Sequence, residues 1–220
     1  ERAKKAGLKA LIVSGVNPIA NREVLDLAKK YPIIKASLGF YPIDALGLAE
    51  KEIGLPRQTV PIDLDKEFAF IEENIDRVIS IGEVGMDFHW ASKEDTYEKQ
   101  AENFRRIIRF AIKIKKPLVI HSRKAERECL EILEQEVQGE IPVVNHCFSG
   151  KKNLIKKAAE LGHYFSIPPN ILRSQSFQTL VKMVDLKQLL TETDSPYLSP
   201  FPEQRNEPAY VVESIKKIAE

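Results

Sequence analysis

Short apolar runs of strand type alternate with helical segments along the whole chain, and this alternation limits the possible folds more than any other feature. Strand-type runs fall at residues 8–14, 33–38, 78–81, 118–120, 143–145, 163–167 and 188–191. Between them lie segments of helical spacing at 21–30, 65–76, 94–115, 123–136, 151–161 and 174–184, with a last one at 208–219. In the longest, Phe104, Ile107, Ile108, Ala111 and Ile114 share one face. Asp65 and Ser149 read as N-caps of the helices they precede. Only residues 43–63, with Gly47, Gly54, Pro56 and Pro61, depart from the pattern. Such alternation calls for a parallel sheet whose strands are joined by helical crossovers.

Seven strands suit either a doubly wound open sheet or a TIM-type (β/α)8 barrel. A glycine-rich dinucleotide turn, which the first would favour, is absent. Residues 1–6, with Gly7 behind them, read as the end of a helix. The expectation is therefore one TIM-type barrel domain over 1–220 whose first strand is absent from this sequence.

Composition removes several function classes. The 220 residues are 43% hydrophobic and 30% charged, enough for one large core, and no apolar run approaches a membrane span of about 20 residues. Lys and Arg number 33 against 32 Asp and Glu, so no global field is available to hold a polyanion and any nucleic-acid contact must be local. Cys129 and Cys147 are isolated in sequence, which points to a reducing, cytoplasmic setting.

The chemistry concentrates at strand ends. In Ile79-Ser80-Ile81-Gly82-Glu83-Val84-Gly85-Met86-Asp87, a β-branched run meets a glycine and then a carboxylate, which places Glu83 at the mouth of a buried strand. The glycines read as allowing a sharp bend and close approach of a ligand. His121, His146 and Asp194 follow other strands in the same way. Each alone reads equally well as a hydrogen-bonded strand-end residue. Together they are imidazoles and carboxylates converging on one mouth, a set suited to zinc, manganese or a similar divalent ion that activates water. His163 begins its strand and reads as structural at the opposite end. His89, beside Trp90, reads as a surface loop residue. The clusters Arg105, Arg106, Arg109 and Lys151, Lys152, Lys156, Lys157 read as solvated helix faces, and Cys147 as a buried small residue.

Five motifs in order give a family resemblance. They are Ile81-Gly82-Glu83-Val84-Gly85-Met86-Asp87, Val119-Ile120-His121-Ser122-Arg123 and Asn145-His146-Cys147-Phe148-Ser149-Gly150, then Thr191-Glu192-Thr193-Asp194-Ser195-Pro196-Tyr197-Leu198 and Arg205-Asn206-Glu207-Pro208. The chain resembles, essentially end to end, the TatD family of metal-dependent deoxyribonucleases within the amidohydrolase-like metallohydrolase superfamily. The resemblance implies a TIM-type barrel with two divalent metal ions (Mg, Mn or Zn). It implies Glu83 as their bridge, His121 and His146 on one ion, and Asp194 on the other, orienting or deprotonating the attacking water. It makes Glu83 and Asp194 the catalytic pair and implies 3′ to 5′ trimming of single-stranded DNA, with no membrane and no obligate protein partner. Arg123 and Arg205 are phosphate-side candidates.

Two departures stand out. The His-x-His pair of the family's first strand is not in these residues, and family chains run longer at the C-terminus. The resemblance thus implies that 1–220 is a piece of a longer protein, lacking its first strand and its C-terminal end. Second, Tyr41 precedes Pro42 where many members carry histidine. A phenol is no base near neutral pH, so Tyr41 is expected to act, if at all on substrate, as a hydrogen-bond donor. The alternatives are a metal-dependent amide or ester hydrolase, such as a deacylase on nucleic acid, and a degenerate, non-catalytic barrel that binds rather than cleaves.

Overall fold

The structure, a computed structural model, describes residues 1–48 and 59–220. Its seven parallel strands are β1 (Leu11–Ser14), β2 (Ile34–Leu38), β3 (Val78–Asp87), β4 (Leu118–Arg123), β5 (Val143–His146), β6 (Tyr164–Ile167) and β7 (Leu189–Thr191). They lie side by side in chain order in one sheet. Every crossover thus sets the next strand beside the last, with all C-terminal ends at one side, as in a TIM-type α/β fold.

The α-helices among the described residues are α1 (Arg2–Lys5), α2 (Pro18–Lys30), α3 (Pro42–Ala45), α4 (Leu64–Glu73), α5 (Lys93–Lys113), α6 (Glu126–Glu136), α7 (Lys152–Glu160), α8 (Gln175–Met183) and α9 (Val211–Ala219). The irregular stretch expected at 43–63 begins within α3, and its residues 49–58 lie outside the described residues.

Local chemistry sets several boundaries. Asn17 caps α2, its side-chain oxygen accepting from the Ala20 N–H at 3.0 Å, with Pro18 at the first helical position. The cap of α4 is Asp63 rather than the expected Asp65. Asp63 accepts from the Lys66 N–H at 3.2 Å, while Asp65 lies in the first turn and pairs with Arg106 at 2.6 Å. Ser149 does not cap α7 either. Its hydroxyl donates to Glu126 at 2.8 Å, and Lys151 takes the N-cap position without a side-chain bond.

The largest departure from expectation is β3. Its ten residues run past Gly82 and Glu83 to Asp87, so Glu83 stands within the strand instead of beyond its end. A Cβ on Gly82 would meet the Val119 side chain at 2.5 Å, and one on Gly85, at φ +143°, would lie 2.0 Å from the His121 carbonyl oxygen. The glycines make room for β4 rather than for a ligand. The register against β4 shifts between Ile81 and Val84, then resumes through Gly85 opposite His121 and Asp87 opposite Arg123.

The core is most complete on one face of the inner strands β4 and β5. Ala36, Leu38, Ile81, Leu118, Ile120, Phe165 and Ile167 are fully buried, as befits a parallel sheet covered by helices, and Phe104, Ile107, Ile108 and Ala111 of α5 pack into the same cluster. The edge strands are barer, with Ile12 of β1 and Leu190 of β7 exposed. Arg105 and Arg109 pair with Glu136 across the surface, and Lys157 with Glu134, so those cations form ion-paired helix faces.

Candidate metal and catalytic site

At the C-terminal side of the sheet, β3, β4, β5 and the segment after β7 bring Glu83, His121, His146 and Asp194 together. His121 sits in β4 with Nδ1 at 2.8 Å from Glu83 Oε1 and Nε2 at 2.8 Å from Asp87 Oδ2. His146, the last residue of β5, places Nε2 at 3.4 Å from the same Glu83 oxygen and 3.7 Å from Asp194 Oδ1. Its Nδ1 is hydrogen-bonded to Glu192. Both imidazoles thus turn one nitrogen inward to a single oxygen and anchor the other outward on a second carboxylate.

The outer anchors are themselves tied down. Asp87 is completely buried; its Oδ2 also accepts from the Tyr41 hydroxyl at 2.7 Å, and its Oδ1 accepts from the backbone N–H groups of His89 (2.7 Å) and Trp90 (3.0 Å). The Gln100 side chain from α5 clasps the backbone of Asp87 at both N–H and C=O, at 2.8 and 3.0 Å. Glu192 Oε2 also accepts from Ser166 of β6 at 2.5 Å. Asn206, from the segment before α9, donates to the carbonyls of Thr193 and Tyr197, each at 2.6 Å, and so fixes the loop that carries Asp194.

Charge follows geometry. Burial would raise the Glu83 carboxyl, but the facing His146 charge and the hydrogen bond from His121 outweigh it and hold the group at about 2. Asp87 is likewise held at about 2, its burial outweighed by the hydrogen bond and charge of His121. Burial opposes charge on His121, yet its bonds to Asp87 and Glu83 raise it to about 9. His146 is raised well above the ordinary histidine range, its burial outweighed by Glu192 and Glu83. Asp194 is pushed up to about 6, chiefly by burial.

This donor set is chemically matched to a divalent cation. Four carboxylates face two imidazoles, and Glu192 Oε1 is buried without a hydrogen-bond partner among the described residues, so the cluster carries acceptors in surplus. The outward carboxylate on each imidazole is the support that metal-binding histidines need to hold their tautomer and orientation. Both imidazoles are paired with carboxylates, and no group of three or more His, Cys, Asp or Glu among the described residues is spaced to hold an ion as it stands.

The remaining candidates lie around this centre. Tyr41 is buried, its hydroxyl committed to Asp87 and its ring edge-on to His121 at 4.8 Å between centroids. Arg123 closes β4 on the exposed rim, its guanidinium 5.6 Å from the centroid of the Trp90 ring. Arg205 is exposed, next to Asn206. His89 is exposed and edge-on to Trp90. His163 is buried before β6, where desolvation lowers it to about 4. Cys147 is partly buried and raised by that burial, and both cysteines are free.

Asp87, Glu192, Ser166 and Asn206 were not picked out as site residues from sequence. A signal existed for two of them. Asp87 lies four residues beyond Glu83 on one strand, and Glu192 two before Asp194, spacings that keep side chains on a common face in extended chain.

Comparison with known proteins bears on family and fold. The family model described as "TatD related DNase" matches residues 1–220. Deoxyribonuclease TATDN3 of Homo sapiens is 34% identical over 223 residues, covering 100% of this chain and 79% of its own length. An uncharacterized metal-dependent hydrolase of Methanocaldococcus jannaschii is also 34% identical over 223 residues, with 100% and 81% covered. The 3'-5' ssDNA/RNA exonuclease TatD of Salmonella typhimurium is 28% identical over 227 residues, with 99% and 82% covered. In fold, the crystal structure of YJJV, a TatD homolog from Escherichia coli K12, matches with a TM-score of 0.83 at 24% identity, over 99% of this chain and 80% of that one.

Proposed function

This chain belongs to the TatD related DNase family, and from that membership and the site's geometry we propose that it is a divalent-metal-dependent phosphodiesterase that trims single-stranded DNA from the 3′ end. One observation carries the reading. His121 and His146 each turn a nitrogen to Glu83 Oε1 while a second carboxylate holds the other nitrogen. A lone structural ion pair needs no such doubly braced pair of imidazoles.

Glu83, His121, His146 and Asp194 would hold the divalent ions, two by family resemblance and Mg, Mn or Zn by the chemistry of the donor set. When bound, such ions acidify water to a nucleophile at neutral pH and neutralise charge developing on a phosphoryl group. The chain's own residues do the rest. Asp87 and Glu192 keep the imidazole rings oriented. Asp194 is the group best placed to take a proton from attacking water, because its side chain is 36% exposed while those of Glu83, His121 and His146 are 14–17% exposed. Arg123 and Arg205 supply guanidinium groups that match phosphate in a bidentate way, and Tyr41 acts on the site through Asp87.

The test is turnover of end-labelled single-stranded DNA in magnesium or manganese, with loss on chelation and recovery on adding metal back. Loss of label from the 3′ end supports the proposal. Turnover of ester or amide substrates without any nuclease activity would assign the same site to carbonyl chemistry, and metal binding without either would leave a binding protein.

A further inference from the structure

Trp90 occupies the rim of the site in a way that its hydrophobicity does not explain. Trp90 is 59% exposed, although a side chain of this kind gains by burial. Single exposed aromatics are common on protein surfaces, but this one is held in place. Its backbone N–H and that of His89 donate to Asp87 Oδ1, and the Phe88 N–H donates to the Arg123 carbonyl at 3.0 Å, so the loop is stitched to the ends of β3 and β4. The His89 ring lies edge-on at 4.7 Å between centroids, and the Arg123 guanidinium stands 5.6 Å from the indole centroid. The result is an exposed indole with a cation over its ring, its other surface open to a stacking partner, three residues beyond the carboxylate that anchors His121.

We propose that Trp90 and Arg123 form a docking subsite for one nucleotide of a single-stranded nucleic acid, with the base stacked on the indole and its phosphate met by the guanidinium. Every base offers a π face, so such a platform tolerates sequence, and duplex bases, already stacked on one another, cannot use it. The cation is local, which answers a net charge of only +1. Among the described residues Arg123 has no ion pair, so its charge is available to a phosphate. The subsite rests on the proposed action on nucleic acid and adds to it a determinant of single-strand preference.

Trp90 is the sole tryptophan, so the protein's indole fluorescence reports this position alone. The experiment titrates the full chain, in magnesium, with a short dye-labelled phosphorothioate oligodeoxynucleotide that resists cleavage, reading dye anisotropy and indole emission together. Stacking predicts quenching that tracks binding, and an abasic oligomer of equal length that binds more weakly without quenching. Trp90→Ala should weaken binding of the base-bearing oligomer by about ten-fold or more, and Trp90→Phe by much less, since the ring is retained. Binding with unchanged emission, and equal affinity in Trp90→Ala, would overturn the subsite and leave the phosphodiesterase reading standing. No binding and no turnover of any DNA would overturn both.

Discussion

His146 and His163 stand at opposite ends of two neighbouring strands, and their surroundings give one side chain two characters. His163 precedes β6, buried, with the Asn145 amide at 3.3 Å from Nδ1, and burial alone strips its charge. His146 ends β5, also largely buried, but Glu192, Glu83 and Asp194 face it and hold the proton on. Burial opposes charge at both ends; carboxylates repay it at only one. The difference separates the packed end of the sheet from the end that is furnished for chemistry.

The comparison is tested most severely at Glu83, the one carboxylate that both inward-turned imidazoles share. Glu83→Ala should reduce DNA turnover on the order of a thousandfold, more than replacing either histidine alone, measured as kcat/KM with metal in excess. Near-normal turnover in that variant would move the centre of the site elsewhere. Glu192→Ala removes the outward anchor of His146 without touching its inner nitrogen. A fall of about ten- to a hundredfold in manganese affinity is expected by calorimetry, the range found when such supports are lost. Unchanged affinity would mean that packing alone holds the ring.

At the other end, the sign of the pH effect is the test. The unfolded chain takes up a proton on His163 near pH 6.5 and the folded chain only near 4, so stability should fall as pH drops through that window. His163→Gln should flatten the parent's loss between about pH 7.5 and about pH 5 by about 1–2 kcal/mol, read as the difference of two urea unfolding curves. A parallel slope in the variant would place the titration on another group. The smallest effect is expected at Tyr41. Tyr41→Phe deletes one of several donors to Asp87 and should lower kcat by less than about ten-fold, with KM for DNA little changed. A large KM effect instead would place the phenol against substrate.

The strand order was legible because parallel strands and crossover helices leave local periodicities that survive without knowledge of neighbours. The end of β3 was not. Gly82 and Gly85 look like punctuation in sequence, and only the presence of Val119 and the His121 carbonyl shows them to be clearance for an adjoining strand. The same limit hid half of the site. Glu83, His121, His146 and Asp194 could be picked out by residue type and strand position. Asp87 and Glu192 gain their meaning from partners 34 and 46 residues away, a relation that exists only once β3, β4, β5 and β7 lie side by side. Asp63 and Asp65 show the local version: two acids near one helix start, of which backbone geometry selects the first.

Asp87 divides its two oxygens between different tasks. One receives His121 and Tyr41; the other receives the amides of the loop that presents Trp90. A rigid carboxylate cannot turn one oxygen without moving its twin. A displacement of that loop therefore reaches the His121 imidazole through a single planar group, with no intervening soft torsion. The position of the rim loop and the orientation of the central imidazole share one hinge pin.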